Sequence, residues 1–209
     1  MEWQFDNSVA KIFANHARQH IPDYDKVIDL SVSLCDQYYH KNDPILEVGC
    51  AIGETIIRLN KKGFTNIHGV EASQSMLTAC PKDIATYYNT EKFPTSDTKF
   101  KVVLCNWTLH FIQDKVSYLS DVAANLSKDG MLILTDKTAN EGIALEQYHK
   151  FKLSSGVSPE EVIRKAESLI GVMHIDSVEW YFNTLRELGF GKIYIASANW
   201  CFTTFVATI

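Results

Sequence analysis

Asn106 and His110 stand four residues apart where an apolar run, 100–105, comes to an end, and Asp136 closes a second apolar run at 131–135. An imidazole at the mouth of a buried strand is placed to take a proton from a hydroxyl or an amine, and Asp136 is a second candidate for that task. The competing readings are a packed histidine beside aromatics and a solvent-exposed Asp136–Lys137 ion pair. Upstream, the run 45–48 leads into Gly49-Cys50-Ala51-Ile52-Gly53, a turn whose two glycines let the main chain approach a ligand closely. Glu71 lies 71 − 49 = 22 residues beyond Gly49, with Ala72 after it, where an acid accepts hydrogen bonds from both hydroxyls of a ribose. Its alternative is to cap the following helix. Asn89-Thr90 closes a further short run, where an amide can pair with an adenine edge, although an asparagine in a loop needs no ligand to explain it.

These residues need strands ending at one rim. From Pro44 onward strand and helix patterns alternate: strands at 45–49, 66–71, 84–88, 100–105 and 131–135, and helices at 54–61, 73–80 with Ser73 as cap, and 114–126. That alternation implies a doubly wound, mostly parallel α/β sheet with a ligand crevice at the carboxyl ends of its strands. Two apolar runs, 192–198 and 201–209, follow a helix at 176–188 and are joined too tightly for a parallel crossover, so the chain should end in an antiparallel hairpin. Seven strands result. Residues 1–40 read as helices covering the sheet's carboxyl edge, and 138–175 as a helical insertion, 143–153 and 159–170, above the crevice. The insertion's apolar positions either line a pocket or bury a homodimer contact. His16 and His20 share one helix face at metal-ligand spacing, but no cysteine or acid at matching spacing completes a set, so they are read as solvated and no metal is expected.

A chain of 209 residues with 46% hydrophobic and 22% charged residues suits one globular domain, 1–209. The net charge of −5 supplies no basic face for direct nucleic-acid binding. No apolar run reaches membrane-spanning length, and the first residues lack a signal peptide's regions, so a cytoplasmic protein with no membrane contact is expected. Cys35, Cys50, Cys80, Cys105 and Cys201 form no Cys-x-x-Cys pair and read as reduced, buried thiols, Cys50 being a small residue filling the turn.

Glu47-Val48-Gly49-Cys50-Ala51-Ile52-Gly53, Glu71, Asn89-Thr90, Asn106 and the terminal hairpin resemble the class I S-adenosylmethionine-dependent methyltransferases, a Rossmann-like fold. That family usually has a glycine where Ala51 stands. The resemblance implies S-adenosyl-L-methionine as cofactor, held by Glu47, Gly49, Cys50, Ala51, Gly53, Glu71, Ala72, Asn89, Thr90, Asn106 and Trp107, and methyl transfer to a small-molecule acceptor. Over nearly the whole chain, Phe5-Asp6-x-x-Val9-Ala10, Ile21-Pro22-x-Tyr24, Val102-Val103-Leu104-x-Asn106-x-Thr108-Leu109 and Val172-Met173-x-x-Asp176-Ser177 are similar to the carboxy-S-adenosylmethionine synthases of tRNA wobble-uridine modification. That likeness adds Tyr24 beside Asn106 at the methionine end of the cofactor and gives the insertion to the active site and a dimer contact. The synthases read their product's extra carboxylate with an arginine, and Ala166 stands in its place, beside Arg164 and Lys165. A bidentate guanidinium is not replaced by alanine, which favours methyl transfer over synthase chemistry. A protein that binds the cofactor without turnover is the remaining alternative.

Overall fold

The computed structural model describes residues 7–209; Phe5 and Asp6, and with them part of the expected first helix cap, lie outside the described residues. Two helices, α1 (Asn7–His20) and α2 (Tyr24–Tyr38), precede β1 (Ile45–Val48), α3 (Glu54–Lys61), β2 (Ile67–Val70), α4 (Gln74–Ala79), β3 (Thr86–Tyr88) and β4 (Phe100–Asn106). A 3-10 turn at Leu109–Phe111 leads to α5 (Lys115–Asn125), β5 (Leu126–Lys137), α6 (Gly142–Ser154), α7 (Pro159–Ser168), α8 (Val178–Glu187), β6 (Lys192–Asn199) and β7 (Phe202–Thr208). The strand order is β3-β2-β1-β4-β5-β7-β6, parallel from β3 through β5, with β7 antiparallel to both neighbours. The expected seven-stranded doubly wound sheet and terminal hairpin are both present.

The apolar runs are continuous because both faces of the sheet are covered. Leu46, Val103, Cys105, Leu132 and Leu134 pack with Tyr118, Leu119 and Val122 of α5 and Tyr181 and Leu185 of α8. Their neighbours Ile45, Val102, Leu104, Met131 and Ile133 face the other way, onto Ile28, Val32 and Cys35 of α2, Ile56 and Leu59 of α3, and Leu77 of α4. Of the two N-terminal helices, α1 covers the crevice, while α2, which was expected there with it, packs mainly on a sheet face and reaches the crevice with Tyr24 at its start. Side chains cap the helices as residue type dictates: Ser73 accepts from Met76 N, Asp114 from Ser117 N, Ser158 from Glu161 N and Ser177 from Trp180 N.

Two boundaries differ in ways that move the site. The expected helix 114–126 stops at Asn125, and Leu126 already pairs with Phe100 before the register slips to Met131 opposite Val102. Strand β5 also runs on to Asp136 and Lys137, because β7 lies beside it and pairs them with Thr203 and Phe202. Both side chains are buried, so the expected solvent-exposed Asp136–Lys137 ion pair is absent. All five cysteines are buried free thiols. Among the described residues no helix is long and apolar enough to cross a membrane.

Candidate active site

Strands β1 and β4 adjoin where the strand order reverses, and the crevice beyond their carboxyl ends is a cavity of about 590 Å³. The turn after β1 is pinned by Gly49 N and Cys50 N, which donate to Val70 O at 2.8 and 3.0 Å, and by Gly53 N, which donates to Cys50 O at 2.7 Å. Gly49 has φ +68°, and a Cβ there would lie 2.1 Å from Thr108 Oγ1. That hydroxyl in turn sits 3.0 Å from Val48 O and 3.1 Å from Asn106 O, strapping the ends of β1 and β4 together. Ala51 has φ +47°, the left-handed region that its Cβ disfavours by about 1–2 kcal/mol. An Ala51→Gly variant is therefore expected to unfold at a higher urea midpoint by an amount worth roughly 1 kcal/mol, with an unchanged slope.

Glu71 accepts from Ala51 N at 3.0 Å and Ser73 N at 2.9 Å, which ties the turn to the start of α4 while its carboxylate still lines the cavity. Ribose binding and helix capping, posed as alternatives from sequence, are compatible in one carboxylate with several acceptor sites. Burial raises the Glu71 pKa against those amide bonds. Asn89 corrects the expectation made for it. Its amide donates to Glu71 O and Ala72 O, both at 2.9 Å, and the residue does not line the cavity, whereas Thr90 and Glu91 do. Gly53 also stays off the cavity wall and serves as the left-handed N-cap of α3.

At the other end of the cavity Tyr24 stacks on Trp107 with ring centroids 4.8 Å apart. Asn106 donates to Ser31 Oγ at 3.3 Å. Three buried polar atoms on this wall have no protein partner: Glu47 Oε2, Asn106 Oδ1 and Trp107 Nε1. Two acceptors and a donor left unmade in one cradle mark a polar ligand, since each costs about 1–3 kcal/mol when buried and unfilled. Burial also lifts Glu47 from an ordinary 4.5 to about 8, partly offset by the Thr55 hydroxyl. Between those values the folded chain keeps a proton that the unfolded chain releases, so stability falls as pH rises. Urea midpoints of the ligand-free protein are expected to drop from pH 5 to 8 by an amount on the order of a few kcal/mol, and a Glu47→Gln variant should flatten that slope. Cys50 is held protonated by the neighbouring Cys80 thiol and by burial, as a small turn residue should be.

His110 lines the same cavity, its Nδ1 bonded to the Asp136 carboxylate, which also accepts from the Tyr181 hydroxyl. Asp136 is 0% exposed and does not reach the cavity, which corrects its expected place as a base at the rim. It accepts the His110 Nδ1–H, which fixes the ring and leaves Nε2 as the proton-accepting atom.

α1 and the insertion supply the cover expected of them, but sequence reasoning named few of the side chains they place on the wall. His16, His20, Tyr148, Lys152, Lys165 and Met173 all line the cavity, and Tyr148 Oη donates to His20 O at 2.8 Å. His20 is only 6% exposed, so the expected solvated pair is corrected. Burial, then the neighbouring cations, lowers Lys165 to about 7 and Lys152 to about 8. Arg164 and Ala166 are exposed and off the wall. Of the insertion's apolar positions, Leu169 joins Tyr148 in the wall, while Leu153 and Ile163 face outward.

Residues 46–134 match the family model described as "Methyltransferase domain". This stretch, under half of the chain, resembles a methyltransferase domain. Proteins similar to this chain include the carboxy-S-adenosyl-L-methionine synthase of Actinobacillus pleuropneumoniae serotype 5b, 27% identical over 92% of this chain and 87% of that protein. The synthase of Pasteurella multocida is 28% identical over 92% and 87%. Among solved structures, a Thermotoga maritima methyltransferase described as a possible histamine N-methyltransferase superposes with TM-score 0.68 at 18% identity, covering 99% of both chains. Magnesium protoporphyrin IX methyltransferase from Synechocystis, solved with bound S-adenosylhomocysteine, gives 0.64 at 14% identity over 98% and 99%. The chain thus has the class I methyltransferase fold, and the cofactor of that class is S-adenosyl-L-methionine. The unpartnered Glu47, Asn106 and Trp107 atoms and the Glu71 carboxylate suit that cofactor's amino-acid and ribose ends.

Proposed function

We propose that this methyltransferase acts on a hydroxyl or amine of a small-molecule acceptor admitted beneath α1 and the insertion. The cofactor supplies an electrophilic methyl group on a positively charged sulfur. The chain's own part is to align, exclude water and accept a proton. Asn106, Glu47 and Trp107 hold the amino-acid end, the Tyr24–Trp107 stack walls it from solvent, and Glu71 takes the ribose hydroxyls. His110 Nε2 receives the acceptor's proton as the new bond forms, and Asp136 stabilises the resulting imidazolium without leaving the core. The observation that carries this reading is His110 on the cavity wall with its ring bonded to the buried Asp136 behind it. Methyl-labelled S-adenosylmethionine incubated with a small-molecule extract should yield a labelled metabolite and S-adenosylhomocysteine in equal amounts. Tight binding of both nucleosides with no labelled product would leave a non-catalytic binding protein instead.

A second reading is favoured by one observation, the two cavity-facing ammonium groups of Lys152 and Lys165 where the synthases use an arginine. Among the described residues no arginine lines the cavity, and a lysine binds a carboxylate as a point charge without the guanidinium's fork. Incubation with S-adenosylmethionine and prephenate, followed by weighing the nucleoside, separates the two. A carboxylated nucleoside would establish synthase chemistry and remove methyl transfer to an external acceptor.

A further inference from the structure

We propose that His16, His20 and Glu161 form a binding site for a divalent transition-metal ion of the zinc type, clasping α7 of the insertion to α1 at the edge of the cavity. One donor atom from each of the three lies within 4.8 Å of the others, and His20 Nε2 is 3.9 Å from Glu161 Oε1. A tetrahedral ion with bonds of about 2.0–2.2 Å holds its ligand atoms roughly 3.5 Å apart, so small side-chain rotations close the set. The two imidazoles come from successive turns of one helix, with ring centroids 3.9 Å apart.

The second observation concerns the proton on His20. Its Nδ1 lies 3.0 Å from His16 O, and a carbonyl only accepts, so Nδ1 carries the hydrogen and Nε2 of the neutral ring carries a lone pair. Nε2 is buried with no hydrogen-bond partner on a residue more than nine-tenths buried. A ring whose far N–H is fixed on a backbone carbonyl while its lone pair points into an unfilled space has the usual arrangement of a metal-ligating histidine.

The charges facing the cluster select the metal. Glu161 is its one carboxylate, and Lys152 and Lys165 both act on the two histidines. Magnesium and calcium need several oxygen ligands, and one carboxylate among imidazoles and lysines offers too few. An ion that bonds strongly to imidazole does not depend on charge alone. Three protein ligands leave a fourth position open on the side of His16 and His20, which line the cavity.

Cobalt(II) provides the probe. The full chain, stripped with chelator and titrated at pH 7.5, should bind one equivalent with the visible absorption of a four-coordinate ion, and zinc should displace it. Zinc should also raise the melting temperature. The His20→Gln and Glu161→Gln variants, shown to be folded by circular dichroism, should each weaken cobalt binding by about 100-fold or more. Glu161 is a half-exposed surface position, so that variant tests the site even if His20→Gln fails to fold. The proposal is overturned by no cobalt binding, by an intense ultraviolet thiolate band assigning the ion to cysteine, by affinity unchanged in Glu161→Gln, or by magnesium binding equally well. None of these readouts depends on which group the enzyme transfers.

Discussion

Replacing His110 by alanine is expected to lower turnover by about 10²- to 10⁴-fold while S-adenosylhomocysteine binds within roughly twofold of the parent affinity. The split follows from where the ring sits. Its Nδ1 is committed to Asp136, and the atoms read as holding the cofactor belong to Glu47, Glu71, Asn106 and Trp107. Product formation from methyl-labelled cofactor and calorimetric titration of S-adenosylhomocysteine measure the two halves separately. Because His110 is buried and its backbone carbonyl accepts from His174 N at 2.7 Å, the melting temperature of the variant must be followed as well. Asp136→Asn makes the complementary test of a positioning residue: the carboxamide keeps the shape but cannot stabilise an imidazolium. Its kcat should fall while S-adenosylhomocysteine still binds within roughly twofold of the parent affinity. A His110→Ala protein that turns over normally on its true acceptor would remove the proton-accepting role and leave alignment as the sole catalytic device.

Gly49→Ala is expected to be the most damaging single methyl in the chain. The added Cβ would stand 2.1 Å from Thr108 Oγ1 and 2.8 Å from its Cγ2, in a backbone with φ +68°. The left-handed conformation costs about 1–2 kcal/mol and the overpacking about 1–3 kcal/mol more, so a loss of roughly 3–4 kcal/mol is expected in urea unfolding. Thr108 cannot simply turn away, because its hydroxyl joins Val48 O to Asn106 O. The Thr108→Ala change in the Gly49→Ala background should recover the overpacking part and leave the conformational part. The double variant is then less destabilised than the sum of the two single changes, a coupling that independent positions would not show. Cofactor binding should fall with Gly49→Ala in either background, since the turn that carries Cys50 and Ala51 moves with residue 49.

What the two glycines, the acid after β2 and the alternating apolar runs shared was dependence on short-range rules. A period-2 or continuous apolar run buries as a strand, a serine or aspartate before a helix caps it, and a turn of small residues lets a backbone approach a ligand. Those rules suffice for the sheet, the terminal hairpin, the N-caps at Ser73 and Asp114, and the location of Gly49, Glu71, Asn106 and Trp107 around one crevice. They also suffice for His110, whose place at the end of β4 needed only the strand's direction.

Side-chain partnership across the chain lay outside those rules. Asn89 looked free to meet an adenine, yet its amide reaches back to Glu71 O and Ala72 O, because β3 ends beside β2. Asp136 looked exposed at a strand's end, yet β7 pairs two residues further along β5 and encloses it with His110 and Tyr181. His16 and His20 were visible as a spaced pair, but Glu161, 141 residues beyond His20 in the chain, reaches them only because α7 folds back onto α1. Hydrophobic period, capping and turn chemistry act over a few residues, so the sequence by itself determined the scaffold and part of the crevice wall. Which polar groups stay unpaired, and which distant charges share a cavity, depends on the burial created when α1 and the insertion close over the sheet, and that only the tertiary structure decided.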